Sequence, residues 1–168
     1  MFRITSICCA WFFLLATNSA AQGTFDQKFG KMISDGAALE AINLALKKIG
    51  TVPCESKRLC DPASPEEFAH PPISLEDGRA AMVAGIKSAL AEWCGIQWIR
   101  SFRPMIAVSR EQRKMNYRQL QLMAWIHGDF QRRQIATYSK SGLCPLTLRS
   151  QLDAYLPPLS QYPRPNRE

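Results

Sequence analysis

Residues 74–102, SLEDGRAAMVAGIKSALAEWCGIQWIRSF, specify more of the architecture than any other part of the chain. Ser74, with Asp77 three residues later, has the pattern of a capping box at a helix start. Apolar side chains then recur at three- and four-residue steps, and toward the end of the segment they surround most of the helix. A helix that is apolar on nearly all sides usually lies at the centre of its domain. We therefore predict a central helix over residues 75–102, ended by Pro104.

Helical periodicity continues on both sides of this segment. It predicts helices over residues 35–49 and 110–139, and a short one from residue 145 or 148 to 156. If the second and third helices turn near Pro104, they form an antiparallel hairpin, and Gly128 is expected to bend the third helix. Since no strand pattern is present, the fold class is all-α, a small bundle of about four helices.

Proline-rich segments flank these helices. Residues 51–73 contain five prolines and no apolar period, which predicts a long loop. Residues 157–168 form a second proline-rich segment, predicted to be a disordered tail. Residues 22–156 are then expected to form a single helical domain.

The N-terminal segment has the order of a secretory signal peptide. Arg3 precedes an apolar run of 13 residues (4–16), and the small residues Ser19-Ala20-Ala21 follow. The run is too short for a membrane-spanning helix, which needs about 20 residues. We expect cleavage after Ala21, a periplasmic or secreted location, and no transmembrane segment in the cleaved chain.

Four cysteines remain after this cleavage: Cys54, Cys60, Cys94 and Cys144. An even number of cysteines in an exported chain predicts two disulfides. Their pairing stays open. An unbroken third helix favours Cys144 bonded to Cys54 or Cys60, whereas a sharp bend at Gly128 permits the Cys94–Cys144 pair. Cys54, Cys60 and His70 have the residue types of a zinc site without a familiar spacing, so no metal and no cofactor are predicted.

Positive charge is concentrated in one quarter of the chain. Residues 100–140 carry nine basic and two acidic residues, whereas residues 22–99 carry eight basic and ten acidic residues. Such a field attracts anionic partners, and export together with the lack of a recognition motif argues against nucleic acid. An anionic protein or an envelope component is the expected partner. The predicted contacts are Arg110, Arg113, Lys114, Arg118, Arg132 and Arg133.

Catalytic patterns are sparse, so the chain is predicted to be a non-enzymatic binding or accessory protein. His127 lies on an apolar helix face, which predicts a core histidine. The rival hypothesis is a small envelope hydrolase or transferase that uses His127 in catalysis. The aromatic residues Trp93, Trp98, Phe102 and Trp125 are expected to pack in the core, with a ligand groove as the alternative. Gly95 is expected to allow a close contact between helices.

The C-terminal part of the helical region resembles small periplasmic immunity proteins of the Rap/Tai type. The resemblance rests on Ile126-His127-Gly128, Leu143-Cys144-Pro145, Thr147, Gln151-Leu152 and Tyr155-Leu156. It implies an all-helical, disulfide-bonded binder of a secreted toxin. The partner cysteine that the family places before its glycine-containing helix is replaced here by Leu122-Met123.

Overall fold

The computed structural model describes residues 30–54 and 58–162, and the predicted signal peptide lies outside this part. Its α-helices are α1 (Asp35–Lys48), α2 (Pro65–Ala69), α3 (Leu75–Trp93), α4 (Ile99–Glu111), α5 (Tyr117–Tyr138) and α6 (Leu146–Tyr155). Short 3-10 segments cover Ile49–Thr51, Ser139–Ser141 and Leu159–Gln161. The described residues form no strand, and the predicted all-α class is confirmed. A helix that could span a membrane does not occur among the residues that the structure describes.

The predicted central helix over residues 75–102 is in fact two helices. Gly95 has φ 69° and ends α3 in a Schellman motif, in which the Ile96 amide donates to the Ala91 carbonyl at 2.7 Å. The Gly95 amide donates to the carbonyl of Glu92 at 3.1 Å. Apolar residues occur on both sides of this break, and periodicity alone therefore misses the turn.

The sequence predicts that Pro104 ends a helix, but Pro104 lies inside α4. It cannot donate the hydrogen bond that position 104 would give to the carbonyl of residue 100. The chain turns later, at residues 112–116, where Lys114 takes a left-handed conformation with φ 54°. The third predicted helix consequently begins at Tyr117 rather than at Arg110, capped by Asn116.

Helix α5 runs parallel to α3, so the predicted antiparallel hairpin is wrong. Ser88 contacts His127, and further along both helices Trp93 stacks on Tyr138 with ring centroids 5.6 Å apart. The additional helix α4 returns the chain to the start of α3 before α5 begins. Gly128 does not interrupt α5, which is continuous from Tyr117 to Tyr138.

This direction of α5 explains the disulfide pairing. Cys94 follows the end of α3, Cys144 follows the end of α5, and the two are bonded. Cys54 and Cys60 form the second disulfide, across the first part of the proline-rich loop. The two predicted disulfides are therefore present. A bend at Gly128 is not needed for the Cys94–Cys144 pair, because a parallel α5 already ends beside Cys94.

The glycine that allows a close contact between helices is Gly85, not Gly95 as predicted. An added Cβ at Gly85 would lie 2.6 Å from the His127 carbonyl oxygen and 2.8 Å from the Cβ of Phe130. An added Cβ at Gly95 would meet nothing within 4 Å. Around the Gly85 contact, α1, α3 and α5 share the main core, which includes Ile42, Leu46, Met82, Leu122, Met123 and Ile126.

The C-terminal segment is partly ordered. Residues 157–162, which belong to the predicted tail, include the 3-10 turn Leu159–Gln161. Arg100 donates to the carbonyls of Asp153 and Pro157, and Arg103 donates to the carbonyl of Tyr162. The sequence pattern does not show these side chain to backbone contacts. Residues 163–168 lie outside the described part.

Candidate functional site

The six predicted basic contact residues are spread over the end of α4, the α4–α5 turn and α5. Arg118 and Arg132 are 14 residues apart on α5, which corresponds to about 21 Å along the helix. Arg110 lies near the end of α4, and Arg113 and Lys114 lie in the turn that follows it. The charge is therefore divided between the α4–α5 turn and the second half of α5.

Several of these arginines are bonded within the fold. Arg113 pairs with Asp77 and lies 3.3 Å from the carboxylate of Glu76, both at the start of α3. Arg132 and Arg133 both pair with Asp129, at 3.3 and 2.7 Å. Arg110 and Lys114 have no ion pair with another described residue. Three of the predicted contact residues, Arg113, Arg132 and Arg133, are therefore ion-paired within the fold.

Arg118 fastens the proline-rich loop to α5. Its Nε and Nη2 atoms donate to the two carboxylate oxygens of Glu67 at 2.7 and 2.8 Å, and its Nη1 donates to the carbonyl of Asp61 at 2.7 Å. This two-point hydrogen bond holds the pKa of Glu67 below its ordinary value. In this conformation Arg118 therefore stabilises the fold, and its guanidinium is already bonded to Glu67 and Asp61.

His127 is buried against α3 and the turn after it. Its ring lies 4.7 Å from the Phe102 ring, and its Nε2 lies 2.8 Å from the Ser88 hydroxyl. That hydroxyl also lies 3.1 Å from the Trp98 carbonyl. Because a hydroxyl has one proton and the carbonyl can only accept it, His127 Nε2 donates to Ser88. A histidine that donates in this way does not accept the serine proton, as activation of a nucleophile requires.

The buried His127 makes stability depend on pH. Burial lowers its pKa from 6.5 to about 4. Between these pH values the unfolded chain binds more protons, so the free energy of unfolding is fully retained above pH 6.5 and falls as the pH drops toward 4. The expected loss from this side chain is about 3 kcal/mol, measured by urea unfolding at several pH values.

The His127→Gln variant isolates this contribution. Glutamine keeps an amide donor for Ser88 but does not titrate, so the fall between pH 6.5 and 4 should be smaller by about 3 kcal/mol than in the wild type. The lowered pKa of Glu67 also reduces the free energy of unfolding at low pH. This contribution is the same in both proteins and cancels in the comparison. His70→Gln, in an exposed position, is the matched control. An identical pH profile for His127→Gln and wild type would contradict the prediction.

The end of the molecule at the Cys94–Cys144 disulfide exposes two leucines that the sequence predictions did not include. Leu143 is 94% exposed and Leu146 is 78% exposed. They flank Cys144-Pro145 in the segment KSGLCPLTLR, residues 140–149, which we call the Cys144 tip. Residues 130–152 contain four basic residues and no acidic residue, and this sequence signal could have drawn attention to the tip.

Several restraints fix the Cys144 tip. The disulfide joins it to α3, and the Trp93 indole donates to the Gly142 carbonyl at 2.9 Å. Pro145 precedes α6, whose residue Leu152 packs in a second buried cluster with Ala91 and Cys94. Leu143 and Leu146 are therefore held in place by the disulfide, the Trp93–Gly142 hydrogen bond and the packing of α6, and not by their own side-chain contacts.

Two larger cavities occur in the described part. One, about 790 Å³, lies between residues 30–35, α3 and α4, and two of its lining cations, Arg79 and Arg113, are ion-paired. The other, about 470 Å³, lies beside α5. Neither is lined by His127 or Ser88. No group of three or more metal-ligating side chains occurs among the described residues.

No known protein family, curated protein or solved structure matches the chain. The resemblance to immunity proteins and the predicted export therefore stay predictions. The geometry defines an all-α, disulfide-bonded protein with an exposed apolar tip.

Proposed function

We propose that the protein is an exported, non-enzymatic binding protein that recognises an acidic partner protein through the Cys144 tip. The observation that carries the proposal is the near-complete exposure of Leu143 and Leu146 on a restrained segment. Burying a leucine is worth about 1.5–3 kcal/mol, so two exposed leucines offer a large gain to a complementary pocket.

The charges around the tip favour an acidic partner. Lys140 precedes Leu143 by three residues, and Arg149 follows Leu146 by three. Both cations are exposed, and neither has an ion pair with another described residue. Positive charges at the rim of an interface increase the rate of association with an acidic surface and help to select it.

The restraint of the tip favours a protein over a membrane. A shaped pocket gains affinity when its ligand is already ordered, because less conformational entropy is lost on binding. A fluid bilayer can adapt to a ligand of any shape, so an ordered tip gains less from it. The disulfide and the Trp93–Gly142 hydrogen bond give an advantage mainly with a structured partner.

Two variants test the tip. In Leu143→Ser/Leu146→Ser and in Lys140→Glu/Arg149→Glu, we expect at least a tenfold weaker affinity for the purified partner, which is first captured from the cell envelope. Thermal unfolding should change little, because the replaced side chains are exposed. The matched controls are Leu39→Ser and Lys47→Glu/Lys48→Glu on α1.

The outcomes separate the hypotheses. Loss of the acidic partner from both tip variants, with retention by both controls, supports the proposal. Equal affinity in all variants contradicts it. Binding of the wild type to vesicles of anionic phospholipid, lost in the leucine variant, would assign the tip to a membrane instead.

A further inference from the structure

A groove of about 470 Å³ lies between the outer face of α5 and the end of α3 with its following turn. Its volume is within the range of small-molecule sites. We call it the Gly128 groove. It is lined by Glu92, Trp98, Ala124, Trp125, Gly128, Asp129, Gln131, Arg132 and Ile135.

Gly128 is unexplained by the packing of the fold. It lies in the interior of α5, where glycine costs about 1 kcal/mol relative to alanine. Gly85 is required by its close contact with α5, but an added Cβ at Gly128 would meet nothing within 4 Å. The missing side chain leaves space in the groove, which is the kind of role that glycine has where a ligand approaches the backbone.

The lining combines aromatic and polar side chains of both hydrogen-bonding types. Trp98 is 37% exposed, and Trp125 lines the same groove. Glu92 and Asp129 supply acceptors, and Gln131 and Arg132 supply donors. Gln131 donates to Glu92 at 2.7 Å, and Arg132 lies 3.3 Å from Asp129, so the charges are partly balanced within the groove.

This set of side chains restricts the chemistry of a ligand. Two carboxylates disfavour an anion. A cation would have to compete for them with Gln131, which bonds to Glu92, and with Arg132 and Arg133, which pair with Asp129. A neutral polyhydroxylated molecule meets both conditions, since every hydroxyl group donates and accepts. The C–H face of a sugar ring also packs on an indole ring.

We propose that the Gly128 groove binds a neutral saccharide. The groove differs from the Cys144 tip in chemistry and in its residues, and the saccharide site does not depend on the proposed protein partner. A binding protein outside the cytoplasm would meet such groups in envelope and extracellular glycans. Arg132, predicted from the sequence as a contact to an anionic partner, is reassigned to this site.

The experiment uses the wild-type chain and Gly128→Leu. N-acetylated chitotriose and maltotriose are titrated up to about 10 mM, with tryptophan fluorescence and calorimetry as readouts. Choline and galacturonate are the cationic and anionic comparators. We expect one of the two neutral saccharides to bind, and at least a tenfold loss of affinity in Gly128→Leu, because the leucine fills the groove.

Stability separates blocking from misfolding. Leucine is a much better helix former than glycine, so Gly128→Leu should raise the free energy of unfolding by about 0.5–1 kcal/mol while it abolishes binding. Ala136→Leu, at an exposed position of α5 outside the groove, is the matched control and should bind normally.

Three results would overturn the proposal: no binding of either saccharide, preferential binding of choline or galacturonate, or unchanged saccharide affinity in Gly128→Leu. Destabilisation by Gly128→Leu would also count against it, because the space above Gly128 would then be occupied. None of these results bears on capture of a protein by the Cys144 tip.

Discussion

Gly85→Val is expected to lower the free energy of unfolding by more than about 3 kcal/mol. A Cβ at this position would lie 2.6 Å from the carbonyl oxygen of His127, which belongs to the backbone of α5 and cannot rotate away. Accommodating valine requires α3 and α5 to separate, and that separation opens the core around Met82 and Ile126. Overpacking of a tight contact ordinarily costs about 1–3 kcal/mol, and here two helices must move.

Urea unfolding of Gly85→Ala, Gly85→Val and Gly128→Ala provides the comparison. The first two should be destabilised in increasing order. Gly128→Ala should be stabilised by about 1 kcal/mol, because it improves helix propensity and its new methyl group meets nothing. Equal effects at the two glycines would show that α3 and α5 are farther apart at Gly85 than the distance of 2.6 Å to the His127 carbonyl oxygen indicates.

The sequence was sufficient for the fold class because helix capping and apolar periodicity are local properties. Ser74 with Asp77 starts α3 as predicted, and both capping hydrogen bonds are present. The turn at Gly95 was missed since the segments on both sides are apolar, and a glycine inside such a pattern is compatible with a continuous helix. One missed turn then reversed the predicted direction of α5 and made the disulfide pairing ambiguous.

The basic segment does not by itself predict a basic surface, because charges that are close in sequence can be paired with distant acidic residues in the fold. Arg113 and Arg118 are bonded to acidic residues 36 and 51 positions earlier, and no local pattern reports such pairs. The exposure of Leu146 is equally nonlocal, since Leu152 in the same short helix is buried. Which leucine faces solvent depends on how α6 docks against α3.

Removing the Cys94–Cys144 disulfide is expected to have the largest effect. The bond closes a loop of 50 residues, whereas Cys54–Cys60 closes one of 6. Because the entropy lost by the unfolded chain grows with loop length, we expect Cys94→Ala/Cys144→Ala to cost about 4 kcal/mol and Cys54→Ala/Cys60→Ala about 2 kcal/mol. Denaturant unfolding of both variants under identical conditions measures the difference.

The two double variants also differ in their expected effect on binding. Loss of Cys94–Cys144 releases the Cys144 tip from α3, so affinity for the acidic partner should fall under conditions in which the variant remains folded by circular dichroism. Loss of Cys54–Cys60 leaves the tip intact and should not change affinity. If the Cys54–Cys60 variant were the less stable one, loop entropy would not determine the order. If the folded Cys94→Ala/Cys144→Ala variant bound the partner like wild type, the restraint of the tip would be irrelevant to recognition.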